Sequence, residues 1–124
     1  MPDATILVVD DEEELAQNLA DLLEFEGYTT QVCSSGEQAL EKVVVHPPDL
    51  VLLDIQLPGI DGLETLRRLK EAHPTIPVLM VSASSKRGTM EQVKKFGADG
   101  LILKPYDQDE LLALIERTLR KVDR

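Results

Sequence analysis

The residues best suited to chemistry in this sequence are polar side chains that each follow a short apolar run. Asp10 and Asp11 follow the first run, Asp54 the third, Ser82 the fourth and Lys104 the fifth. Carboxylates brought together repel one another unless a hard divalent cation neutralises them, so these residues predict Mg²⁺ or Mn²⁺. The Lys104 ammonium and the Ser82 hydroxyl can both donate hydrogen bonds to phosphoryl oxygens. The set therefore predicts a site for a cation and a transferred phosphoryl group.

The nucleophile at such a site is predicted to be a carboxylate. No histidine and no activated serine stands at these positions, and transfer onto a carboxylate gives an acyl phosphate. Asp54 is the best candidate, because it stands alone after the central apolar run at 50–53.

The elements that must position these residues alternate along the chain. Five short runs rich in apolar or β-branched residues predict strands, and the longer segments between them place apolar residues at helical spacing. All but the second run are almost wholly apolar, as expected of parallel strands covered on both faces, and the second predicts an edge strand. The pattern predicts an α/β fold with its ligand site beyond the carboxyl ends of the strands. The predicted strands are 5–9, 28–33, 50–53, 78–81 and 100–103.

Start and stop signals delimit the predicted helices. Gly27 is placed to form a left-handed cap at the end of the first helix. Ser34 with Glu37, and Asp107 with Glu110, have capping-box spacing and predict where the second and fifth helices begin. The other helices are predicted at 12–26, 62–72 and 88–96.

Composition narrows the function classes. A length of 124 residues with 43% apolar content predicts one domain spanning residues 1–124. No apolar run approaches the roughly 18 residues of a membrane helix, and the first residues lack the charged start of a secretory signal, so a cytoplasmic location is expected. The formal net charge of −10 argues against direct nucleic-acid binding. A lone cysteine, Cys33, in a predicted strand is expected to be an inert core residue.

Four short motifs stand in order at the predicted strand ends. They are Val8-Val9-Asp10-Asp11, Leu53-Asp54 with Leu57-Pro58-Gly59 and Asp61-Gly62, Ser82-Ala83, and Lys104-Pro105. Together they resemble the receiver domain of bacterial two-component response regulators, over essentially the whole chain. The resemblance implies a doubly wound (βα)5, flavodoxin-like sheet with strand order 2-1-3-4-5.

The resemblance also implies a mechanism. Asp54 would accept a phosphoryl group from a histidine of a sensor kinase or phosphotransfer protein, in a self-catalysed reaction rather than as a conventional enzyme. Mg²⁺ would be held by Asp11, Asp54 and the backbone carbonyl of Gln56, with Asp10 acting mainly through water. The phosphoryl group would be bound at Ser82, Ala83 and Lys104. A change of shape would then signal to a downstream protein or effector domain, and Lys104–Pro105 is expected to be a cis bond.

One position departs from the family pattern. Three residues before the lysine the family usually has an aromatic side chain that rotates inward on activation, and here that residue is Leu101. Tyr106 lies on the other side of Lys104 and is not placed to replace it. Output through the last strand and its flanking helices is therefore expected to be weakened or altered.

Two other function classes each need residues that this sequence lacks. An aspartate-nucleophile phosphatase needs a second acid two residues after the nucleophile, where this chain has Gln56. A nucleotide or flavin binder needs a glycine-rich loop after the first strand, where this chain has the acidic run 10–14. The alternative left open is a receiver-like docking module that acts without phosphorylation. Dimerisation through the last two helices is also left open.

Overall fold

The computed structural model describes residues 3–83 and 87–122. Within those residues, five parallel strands form one sheet and alternate with five helices. The strands are β1 (Thr5–Val9), β2 (Thr29–Cys33), β3 (Leu50–Asp54), β4 (Val78–Ser82) and β5 (Gly100–Leu103). The helices are α1 (Glu13–Phe25), α2 (Gly36–Val45), α3 (Gly62–Ala72), α4 (Arg87–Lys95) and α5 (Gln108–Val122).

The strand order β2-β1-β3-β4-β5 confirms the predicted doubly wound sheet. β3 and β4 lie inside the sheet and are buried along their whole length, whereas β2 forms an edge and is only partly buried. β2 starts one residue later than predicted because Tyr28 belongs to the turn after α1. Its backbone N–H donates to the carbonyl of Leu23 at 3.0 Å.

Two apolar layers cover the two faces of the sheet. α1 and α5 pack on one face, through a cluster that includes Leu23 and Ile115 together with Ile6 of β1. α2, α3 and α4 pack on the other face, where a second cluster includes Leu66 and Leu7. Successive residues of a strand point to opposite faces, which is why neighbouring residues of β1 serve different clusters.

The predictions for Gly27 and Cys33 are confirmed. Gly27 follows α1 with a φ of +99°, the left-handed conformation that glycine adopts at helix ends without steric cost. Cys33 is buried, and burial raises the pKa of its thiol to about 11, which keeps it in the unreactive protonated form at neutral pH. Among the described residues, no helix is both long and apolar enough to cross a membrane.

The predicted capping box of α2 is wrong by one residue. α2 begins at Gly36, so Ser35 is the N-cap, and its Oγ accepts a hydrogen bond from the backbone N–H of Gln38 at 3.2 Å. Gln38 Oε1 in turn accepts from the backbone N–H of Ser34 at 2.9 Å. Glu37 takes no part in the cap. At α5 the predicted helix start is confirmed. Asp107 Oδ1 accepts a hydrogen bond from the backbone N–H of Asp109 at 2.8 Å, where the helix begins.

The cap makes a testable difference between two adjacent serines. Ser35→Ala is expected to lower the free energy of unfolding by about 1 kcal/mol, because an N–H in the first turn of α2 loses its partner. Ser34→Ala is expected to cost less, since it removes only an exposed side-chain bond to Gln38. Urea denaturation of both variants measures the difference. A larger loss for Ser34→Ala would mean that the cap lies at the position first predicted from sequence.

Candidate functional site

The register of the sheet brings four predicted site residues to one edge. Asp54 and Ser82 are the last residues of β3 and β4, while Asp10 and Lys104 directly follow β1 and β5. Asp54 is paired with Val81, and Ser82 with the last residue of β5, so the carboxyl ends of these strands are nearly level. The predicted convergence of these side chains at the carboxyl edge follows from this register.

Asp54 lies at the centre of the site, and its side chain is held from both sides. The residue is only 7% exposed. Its Oδ2 accepts a hydrogen bond from Lys104 Nζ at 2.8 Å, and its Oδ1 accepts from the backbone N–H of Gln56 at 2.9 Å. These two contacts orient a carboxylate that is nearly covered yet borders a cleft.

Asp10 is the second carboxylate that faces Lys104. Its Oδ1 accepts from the backbone N–H of Glu12 at 2.9 Å, and its Oδ2 lies 3.8 Å from Lys104 Nζ. Burial raises the pKa of Asp10, and the charge of Asp54 raises it further against the opposing effects of the Glu12 N–H and Lys104. Ionised Asp10 is therefore an unfavourable charge in the fold.

Lys104 carries the positive charge of the site. Burial is the largest influence on its pKa and lowers it, but the hydrogen bond that Lys104 donates to Asp54 and the charges of Asp54, Asp10 and Glu12 outweigh burial and raise the pKa overall. Lys104 is therefore a permanent cation at neutral pH. The Lys104–Pro105 peptide bond is cis, as predicted.

Asp11 and Gln56 occupy the open side of the site. Both are exposed, and with Asp54, Ala83 and Lys104 they line a cleft of about 780 Å³. Asp11 is exposed, whereas Asp54 is almost fully buried. Within residues 3–83 and 87–122, no three acidic, histidine or cysteine side chains are grouped closely enough to hold a metal ion by themselves. The predicted ligand set of Asp10, Asp11, Asp54 and Gln56 stays a prediction.

Ser82 ends β4, and Ala83 follows it at the edge of the cleft. Ser82 is buried, and its backbone carbonyl accepts from the backbone N–H of Lys104 at 2.7 Å, which ties the end of β4 to the residue after β5. Ala83 is exposed and lines the cleft beside Asp54. The chain between Ala83 and α4 lies outside the described residues.

Leu101 and Tyr106 lie on opposite faces of the sheet. Leu101 is half-buried and packs against the cluster under α2, α3 and α4, whereas Tyr106 packs against the cluster under α1 and α5. Tyr106 therefore does not stand in for the aromatic residue that is missing at position 101.

Two contacts that support the site were not predicted from sequence. A Cβ added to Gly62 would lie 2.5 Å from the Cα of Ile55 and closer still to the carbonyl oxygen of Asp54, so no larger residue fits there without moving the backbone. Glu37 accepts a hydrogen bond from the backbone N–H of Ile60, in the loop that follows Asp54. The sequence signal for Gly62 is its place directly after Asp61, at the start of the helix predicted over 62–72. Asp61 does cap α3, accepting from the backbone N–H of Glu64 at 2.8 Å.

The environment of Asp10 predicts a dependence of stability on pH. An unfolded aspartate ionises near 3.8, whereas the folded carboxyl holds its proton to higher pH. Ionised Asp10 therefore lowers the free energy of unfolding. This loss is absent below the pKa of the unfolded state and fully present above the pKa of the folded state. Asp10→Asn is expected to raise the melting temperature of the metal-free protein at neutral pH, and the gain should fade in acid. Thermal scans across this pH range, made in a chelator, measure it. A variant less stable than wild type at neutral pH would contradict it.

Comparison with known protein families gives a match over most of the chain. The family model of the response regulator receiver domain matches residues 6–116. Among curated proteins, the response regulator ArlR of Staphylococcus epidermidis is 38% identical over 116 residues, covering 94% of this chain and 52% of ArlR. The DNA-binding response regulator MtrA of Mycobacterium leprae is 41% identical over 118 residues, covering 95% of this chain and 52% of MtrA. This chain thus spans about half the length of these two relatives.

Solved structures show the same likeness. A CheY-like response regulator receiver domain protein from Methanospirillum hungatei superposes with a TM-score of 0.94 at 29% identity, covering 98% of this chain and 97% of that chain. The receiver domain of NtrX from Brucella abortus superposes with a TM-score of 0.87 at 38% identity, covering 93% of this chain and 98% of that chain.

Proposed function

Since this chain belongs to the response regulator receiver domain family, we propose that it takes a phosphoryl group from a phosphohistidine onto Asp54 in a Mg²⁺-dependent reaction. The chain is a receiver domain of a two-component system, and response regulators act with sensor kinases. The comparisons do not favour the alternative of a docking module that works without phosphorylation. Residues 1–124 are proposed to form one receiver domain.

The observation that carries this proposal is the pairing of Asp54 with Lys104. A nearly buried carboxylate at the end of a central strand lies 2.8 Å from a lysine ammonium and opens onto a cleft. A buried carboxylate and a fixed cation can pair for structural reasons alone, but such a pair is normally closed off from solvent and has no second carboxylate facing the same lysine. Here Asp10 also approaches Lys104. The excess of negative charge suits a site that binds a cation and then receives a phosphoryl group.

The transfer step follows from the atoms present. One carboxylate oxygen of Asp54 attacks the phosphorus of the phosphohistidine, forming a P–O bond while the P–N bond to the imidazole breaks. The imidazole leaves with the electron pair of that bond and takes up a proton from solvent. Lys104 then donates to an oxygen of the transferred group, and Ser82 and Ala83 bind the others. Loss of the group by attack of water on phosphorus would return the free carboxylate.

The residues of the cleft fit a hard divalent cation. The available donors are carboxylate oxygens and backbone carbonyls, the ligands that Mg²⁺ prefers, and no thiol or imidazole lies among the residues of the cleft. We assign Asp11, Asp54 and the carbonyl of Gln56 as the direct ligands and Asp10 as a residue that acts through water, with Mn²⁺ as a substitute. When bound, the cation would neutralise the charge that gathers on the phosphoryl oxygens.

Output is proposed to depend on the region around Ser82 and Leu101. Because Leu101 has no ring to rotate and already packs against the apolar cluster, we expect weak coupling from the site to β5 and its neighbouring helices. Amide exchange with and without a phosphoryl mimic, compared between wild type and Leu101→Tyr, measures that coupling. Equal changes in the two proteins would contradict the expectation.

The partners and cellular location of the chain are also part of the proposal. The chain itself is proposed to act through proteins, in the cytoplasm, without binding nucleic acid directly, which suits its net charge of −10. The DNA binding in the name of MtrA belongs to a protein about twice as long as this chain.

The experiment that tests the function is intact-mass measurement after incubation with Mg²⁺ and acetyl phosphate. A mass increase of one phosphoryl group that requires the metal supports the proposal. Absence of the adduct, with Mg²⁺ binding shown independently by calorimetry, would overturn it and leave phosphorylation-independent docking as the better account.

A further inference from the structure

The loop between β3 and α3, residues 55–61, forms one side of the cleft beside Asp54. Its near end is tied to the site, since the backbone N–H of Gln56 donates to Asp54 and the backbone N–H of Gly62 donates to the carbonyl of Ile55 at 2.8 Å. These bonds hold the two ends of the loop and leave its middle, which includes Gly59 and Ile60, to be fixed from elsewhere.

Glu37, in the first turn of α2, supplies that contact. One of its carboxylate oxygens accepts a hydrogen bond from the backbone N–H of Ile60 at 3.2 Å, across 23 positions of sequence. The adjacent Gly59 has a φ of +72° and no side chain, and a Cβ there would lie 2.5 Å and 3.1 Å from the two carboxylate oxygens of Glu37. The carboxylate therefore fills a space that the glycine leaves open.

An acidic residue in the first turn of a helix ordinarily stabilises the helix dipole and needs no other partner. Glu37 differs because its carboxylate bonds to another segment of the chain. α2 also lies close to this segment, since a Cβ on Gly36 would come within 2.8 Å of a side-chain carbon of Ile60. The contact thus belongs to a packed junction between α2 and the loop.

We infer that Glu37 is a positioning residue for the phosphoryl-transfer site, holding the loop so that Gln56 keeps its place beside Asp54. This inference rests on the proposed function for its kinetic consequence. Glu37 is not among the residues that line the cleft, and it acts through the backbone of Ile60. Loss of the contact lets the loop move and weakens the binding of the cation that the Gln56 carbonyl helps to hold.

Four variants separate this role from a general effect on α2. Glu37→Ala removes the acceptor, Glu37→Gln removes the charge but keeps an acceptor oxygen, and Glu41→Ala removes an exposed carboxylate one turn further along the same helix. Gly59→Ala keeps the carboxylate but places a methyl group against it, and it also puts alanine at a φ of +72°, so its effect combines the two. Two quantities are measured: amide exchange across 56–60 in the metal-free protein, and the Mg²⁺ concentration that gives half-maximal phosphorylation by acetyl phosphate.

Glu37→Ala and Gly59→Ala are expected to speed exchange at Ile60 and to raise the half-maximal Mg²⁺ concentration roughly threefold to tenfold, the range expected for one hydrogen bond. Glu37→Gln and Glu41→Ala should match wild type in both. Unchanged exchange or an unchanged Mg²⁺ requirement in Glu37→Ala would overturn the inference, as would equal losses in Glu37→Gln, since charge alone would then be responsible. If the wild-type protein forms no adduct, the proposed function is overturned instead. The amide-exchange result does not depend on that function.

Discussion

Asp54→Asn is expected to eliminate the phosphoryl adduct formed with acetyl phosphate and Mg²⁺. The amide of asparagine cannot act as the nucleophile, and among the described residues Asp54 is the carboxylate within hydrogen-bond distance of Lys104. Asn keeps the size of the side chain and an oxygen able to accept from the backbone N–H of Gln56, so the fold should survive. Intact mass measures the adduct, and circular dichroism with a melting curve confirms that the variant is folded.

The matched control for this change is Asp61→Asn. Asp61 lines the same cleft but serves as the N-cap of α3, a role that asparagine performs about as well as aspartate. This variant should still form the adduct. An adduct that persists in Asp54→Asn would place the acceptor on another residue, whereas loss in both variants would point to a general effect of removing charge from the cleft.

Gly62→Ala is expected to lower the free energy of unfolding by about 1–3 kcal/mol and to slow phosphorylation as well. The new methyl group would meet the backbone at Asp54 and Ile55, and backbone cannot turn aside as the end of a flexible side chain can. The expected cost is steric, because Gly62 is not among the glycines with positive φ. Relief of the clash must shift the end of β3, which carries the Asp54 carboxylate, or α3, which is joined to the loop that lines the cleft.

Gly88→Ala is the control for this prediction. Gly88 lies in α4, and of the residues that the structure describes none stands within 4 Å of a Cβ added there. The same substitution should therefore stabilise the protein, by up to about 1 kcal/mol, because alanine is the better helix former. Urea denaturation measures the change in the free energy of unfolding of both variants, which should be a loss for Gly62→Ala and a gain for Gly88→Ala. Equal and small effects would show that the approach of α3 to β3 is looser than the structure indicates.

The placement of Asp10, Asp54, Ser82 and Lys104 could be predicted because it depends on strand ends. A buried parallel strand must be apolar along its length, so the first polar residue after each run marks its carboxyl end. Ser34 and Ser35 show where this kind of inference stops, because both precede an acceptable helix start. The packing of α2 decides which serine is the cap. In the structure the cap is Ser35.

The sequence by itself determined the edge where the site lies and the residues that end the strands there, since these follow from hydrophobic periodicity, while the strand order came from the resemblance of its motifs to receiver domains. Only the tertiary structure decided that Asp11 faces solvent, that Gly62 must lack a side chain, and that Glu37 reaches Ile60. Those features depend on how closely separate segments approach one another. Spacing along a chain carries no record of that distance.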